Sequence, residues 1–171
     1  MYITTAQLAD RPGATELAQV ASPERSAIVD ATLMDAVLRG NSTSAWLPAD
    51  VAVADEALAV INDAIDAADG LIEGFLAKRG YPLPLSPVPT VVVGWARALT
   101  RYTLHKDRIT DPKTDPIGRD YQDAMKLLQL TASGQFSLGI TDTVTQPGIG
   151  LPQTGVDPNA ANRPGPWWIR E

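Results

Sequence analysis

A chain of 171 residues with 44% apolar and 20% charged side chains is long enough to bury one core and polar enough to face water. Its 14 Lys and Arg stand against 20 Asp and Glu, and a net charge of −6 argues against general affinity for a phosphate backbone. With no cysteine and a single histidine, His105, disulfides, thiolate chemistry and a histidine zinc site within one chain are excluded. The start, MYITTAQLADRPG, lacks the basic and apolar regions of a signal peptide. No stretch approaches the roughly 18 to 20 apolar residues that span a bilayer, so no membrane role is expected.

Helical patterns then follow in chain order. Thr4 and Gln7 form a capping-box pair ahead of Leu8, and Pro12-Gly13 ends that helix. A short pattern carries Leu17 and Val20. Ser22-Pro23-Glu24 combines a hydroxyl cap, a first-turn proline and a first-turn acid, and predicts a helix using Ile28, Val29, Leu33 and Val37. Arg39-Gly40 stops it. Residues 40–52 read as a loop insertion whose Trp46 and Leu47 fold back on a neighbouring surface. The longest helix covers 53–79, with Leu58, Ile61, Ile65, Ala68, Ile72 and Phe75 on one face and Asp63, Asp66 and Glu73 on the other. Four prolines between Pro82 and Pro89 force an extended connection. The next helix runs to about Lys106, with Val88, Val91, Trp95, Ala98 and Tyr102 inward and Arg97, Arg101, His105 and Arg108 in a stripe. Asp115-Pro116 opens a last helix with Ile117, Tyr121, Ala124, Leu128 and Thr131 inward, closed by Gly134.

The expected fold is therefore all-α: a small helical domain of four to five helices over residues 1–138, then an extended Gly/Pro-rich C-terminal arm over 139–171. Five Gly and five Pro fall in the last 33 residues, which cannot bury enough surface alone to offset the entropy of ordering them. The arm carries Trp167, Trp168, Ile169 and Arg170, an aromatic end suited to anchoring on a partner.

A search for chemistry finds no nucleophile and base pair, because His105 lies among arginines with no carboxylate to orient it. Asp63, Asp66, Asp69 and Glu73 read as a solvated helix face, and no phosphate-binding glycine loop is present. No catalytic residue, metal ligand or cofactor is expected. The Arg97, Arg101, Arg108 stripe has three readings. It pairs with the acids Asp66 and Glu73 of the long helix in the same chain, pairs with them on a neighbouring subunit, or faces a phosphate backbone. The second, repeated head to tail, closes a ring.

The ordered set of Ala64-Ile65-Asp66-Ala67-Ala68-Asp69-Gly70-Leu71-Ile72-Glu73-Gly74-Phe75, Arg79-Gly80-Tyr81-Pro82-Leu83-Pro84-Leu85, Arg101-Tyr102, Tyr121-Gln122-Asp123-Ala124 and Ser133-Gly134-Gln135-Phe136-Ser137-Leu138-Gly139 resembles the phage Mu-like gp36 family of bacteriophage and prophage proteins. More distantly it resembles the helical head-to-tail connector, or adaptor, proteins of long-tailed phages. The resemblance covers residues 2–139, with 40–52 as an insertion and the arm outside it. It implies a structural protein and not an enzyme: a homo-oligomeric, dodecameric ring under the portal that joins head to tail and extends the DNA channel. The implied partners are the portal protein, a tail or stopper protein and genomic DNA that slides past without sequence-specific binding. The implied place is the virion neck, reached from the host cytoplasm during assembly. A tail-completion or stopper protein is the structural alternative; a carboxylate-dependent hydrolase using Asp66 and Glu73 is the enzymatic one.

Overall fold

In the computed structural model, which describes residues 1–140, the first turn of helix forms where the capping box places it. The Thr4 hydroxyl accepts from the Gln7 N–H at 3.2 Å, and the Gln7 side chain accepts from the Thr4 N–H at 3.0 Å. This caps α1 (Thr5–Leu8). An extended Arg11 and a left-handed Gly13 (φ 113°) redirect the chain into α2 (Ala14–Ala21).

The expected helix start at Ser22 does not form. Ser22 instead ends α2: its hydroxyl donates to the Ala18 carbonyl at 2.6 Å and accepts from the Val29 N–H at 3.0 Å. That closes a loop over residues 22–30 and leaves Ile28 64% exposed. The cap passes to Asp30, whose carboxylate accepts from the N–H groups of Thr32 at 2.9 Å and Leu33 at 3.2 Å and opens α3 (Ala31–Arg39).

The 40–52 loop is also shorter than expected. α4 (Pro48–Arg79) begins at Pro48, where the missing N–H of a first-turn proline costs nothing. Trp46 packs against the core, whereas Leu47 is 69% exposed. At 32 residues α4 is roughly 48 Å long. Ala54, Ala57, Ile61, Ile65, Ala68, Ile72 and Leu76 recur along it at steps of three and four, all buried. Every other long element packs on it: α2, α3, α5 (Thr90–His105) and α6 (Pro116–Ala132).

The α4–α5–α6 unit runs up, down and up. Arg79 at the end of α4 lies beside Gly134 just after α6, and Trp95 in the first half of α5 lies 6.0 Å from the Phe136 ring. Because α5 is wedged between two helices, its buried set is Val92, Trp95, Ala96, Leu99 and Thr100, a face rotated from the expected one. Val91, Ala98 and Tyr102 are half-buried instead, and Tyr102 stacks on Tyr121 with ring centroids 4.0 Å apart. Among the described residues there is no strand, and five helices have eight or more residues. Leu138 and Ile140, near the end of the described residues, pack against the core. The arm anchors Trp167, Trp168, Ile169 and Arg170 lie outside the described residues.

Candidate functional site

The turn before α2 and the facing sides of α5 and α6 enclose an open groove of about 460 Å³. Its apolar wall is Trp95 and Ala98 of α5 with Ala124 and Leu127 of α6. Three arginines, Arg11, Arg97 and Arg101, and three acids, Glu16, Asp120 and Asp123, complete it. The 3.6-residue period sets this arrangement: Arg97 and Arg101 are four apart on α5, and Asp120 and Asp123 are three apart on α6.

Two of these groups satisfy each other. The Arg101 guanidinium grips Glu16 with both arms of its fork, Nε to Oε1 at 2.6 Å and Nη2 to Oε2 at 2.8 Å. The side chains are only 30% and 26% exposed, so the pair is partly shielded from water. The hydrogen bond to Glu16 holds the Arg101 guanidinium above its ordinary pKa, against the opposing effect of burial. His105 closes the cluster: its Nε2 lies 3.4 Å from Glu16 Oε1 and its Nδ1 3.0 Å from the Arg101 carbonyl. The carboxylate that meets Arg101 thus comes from α2 of the same chain, not from the acids of the long helix.

Other groups in the groove are left unsatisfied. Trp95 is 4% exposed, and its indole Nε1 is buried without a hydrogen-bond partner. The Nε of Arg97 is likewise buried and unpartnered. Buried donors normally find an acceptor, so these two nitrogens, in residues that both line the groove, are exceptions.

The remaining residues singled out by sequence are dispersed. Arg108 leaves the α5 stripe, because α5 ends at His105 and Lys106–Arg108 form a separate turn; it is exposed beside the 22–28 loop. Asp66 is exposed on α4. Glu73 is half-buried and accepts from the Tyr2 hydroxyl at 3.2 Å. Burial pushes the Tyr2 phenol above its ordinary pKa, and the negative charge of Glu73 adds to it. Asp69 does not belong to the solvated face at all. It is 8% exposed, accepts the Tyr2 N–H on both oxygens at 3.1 Å, and lies 3.1 Å from the Met1 amine.

Sequence reasoning missed Arg11, Glu16, Asp120 and Asp123 as one site. Glu16 and Arg101 are 85 positions apart, and no local pattern links them. Asp120 and Asp123 did carry a signal, being three apart on α6 with Asp120 one helical turn before the inward Ala124. Among the described residues no group of three His, Cys, Asp or Glu is placed to hold a metal ion, and no helix is long and apolar enough to cross a membrane.

Comparison with known proteins agrees with the ordered motifs. No solved structure matches the chain. The Mu-like prophage FluMu protein gp36 of Haemophilus influenzae is 38% identical over 98 residues, which is 57% of this chain and 64% of that protein. The chain therefore spans a little under two thirds of that curated relative. The family model described as "Bacteriophage Mu, Gp36" matches residues 2–152, further than the quoted motifs reach. The chain belongs to the bacteriophage Mu Gp36 family.

Proposed function

We propose that the protein is a head–tail connector of a tailed phage or prophage, a ring-forming subunit at the virion neck that adjoins the portal and carries the DNA channel toward the tail. The observation that supports this most is the distribution of charges the fold leaves unpaired. Arg25, Arg39 and Arg101 each find a carboxylate inside the chain. Arg108 on the turn after α5 makes no ion pair with a described residue, and neither do Asp63 and Asp66 on the outer face of α4. Opposite charges held apart on one rigid body suit a heterologous contact, in which the basic turn of one copy meets the acidic helix of the next, and repetition closes a ring. An acidic inner wall would also let DNA pass without adhering.

The Arg101 fork is filled by Glu16 within the chain, so the test is placed on Arg108 and Asp66. The test is charge reversal on each side of the contact. Arg108→Glu and Asp66→Lys each reduce assembly, and an equimolar mixture of the two recovers rings, because alternating copies restore opposite charges at every contact, as the double variant also does. Rings formed as readily by Arg108→Glu as by the native chain would overturn this contact.

A further inference from the structure

We propose that the groove between α2, α5 and α6 receives the Trp167–Glu171 segment of a neighbouring copy, so that each subunit is strapped to the next; this rests on the ring reading above. The groove offers three things: an apolar wall, the two buried orphan donors of Trp95 and Arg97, and rim charges of both signs. The segment offers the matching chemistry in five residues: the indoles of Trp167 and Trp168, the branched Ile169, the cation of Arg170 and the carboxylate of Glu171. The indoles cover the wall formed by Trp95, Ala98 and Leu127. Arg170 meets Asp120 and Asp123, which have no ion pair among the described residues, and the Glu171 carboxylate accepts from Arg97 and Arg11. Adjacent tryptophans are costly to leave in water, which makes the segment a strong candidate anchor in a pocket of this kind.

Reach permits the neighbour. The described chain stops at Ile140, which lies against Tyr81, Pro84 and Leu85 at the turn joining α4 to α5. From there 31 residues lead to Glu171. At about 3.3 Å each they span up to roughly 100 Å, about twice the length of α4 and enough to cross to an adjoining subunit. Exchanged arms make each contact in a closed ring bivalent, with a docked segment beside the charged faces.

The absence of native cysteine allows a clean test in the full chain. One variant carries Asp123→Cys in the groove and another Arg170→Cys in the arm; both keep the tryptophans and Arg97. Mixed and oxidised, the two form a disulfide-linked dimer about tenfold faster than a control pair of Asn41→Cys, exposed in the loop after α3, with Arg170→Cys, as expected for a docked segment at high effective concentration. A rate equal to the control overturns the proposal. So does a cross-link that forms within the Asp123→Cys, Arg170→Cys double variant but not between mixed chains, because the arm then occupies its own groove. The same samples are weighed by native mass spectrometry. Rings without the cross-link sink the arm and spare the ring reading; a cross-linked pair without rings does the reverse.

Discussion

The Arg101–Glu16 pair does at the residue scale what a hydrophobic contact does elsewhere: it fixes α2 to α5 across 85 positions of chain. A partly buried, two-point ion pair is worth more than an exposed one, because water competes less for each partner. A double-mutant cycle of Arg101→Ala and Glu16→Gln, followed by urea denaturation, is expected to show a coupling of about 1 kcal/mol. Assembly of the folded variants is expected to persist, since this pair lies within one subunit. Asp69 works similarly on the chain start. Asp69→Ala leaves the Tyr2 N–H without its acceptor inside the core, at a cost of about 2 kcal/mol measured the same way. Tyr2 adds a pH dependence of known sign. Its folded pKa is raised above the ordinary phenol value of 10.0, so its contribution to stability is full below that value and is lost as pH rises through the folded one. Tyr2→Phe should flatten that alkaline limb of the stability curve.

At the scale of elements, α4 is the frame. Gly70 and Gly74 lie on its exposed side with nothing within 4 Å of an added Cβ. Alanine at either is expected to stabilise by about 0.5–1 kcal/mol, by raising helix propensity and restricting the unfolded chain. Gly118 in the first turn of α6 is the opposite case: a Cβ there would fall 2.2 Å from the Pro112 carbonyl oxygen. Gly118→Ala is expected to destabilise by about 2 kcal/mol or more, and parallel thermal melts of the three variants give both signs. The buried row of α4 was legible in the sequence because one long helix repeats the same local rule, and Thr4–Gln7 and Asp115–Pro116 were legible because caps act over three residues. Ser22-Pro23-Glu24 misled for a physical reason. A serine hydroxyl binds a preceding carbonyl as readily as a following N–H, and here Ala18 and Val29 claimed it before a helix could start. Asp69 was misplaced because its charge outweighed its position: it stands four after Ile65 and three before Ile72, on the core side.

For the whole molecule, sequence motifs identified the family and helix spacing foretold an all-α body, but the groove was not legible. It is assembled from three stretches of chain, and its orphan donors exist only once α5 is wedged between α4 and α6. The same wedging divides the arginines, turning Arg101 inward to Glu16 and leaving Arg108 exposed. The proposed ring follows from that division, with the acids of α4 and the basic turn after α5 as complementary faces. Native mass spectrometry of the purified full-length chain tests it most directly. The account predicts a closed assembly whose mass is a fixed whole multiple of the 18.2 kDa subunit. A species of one subunit at every concentration, with or without portal protein, would contradict it.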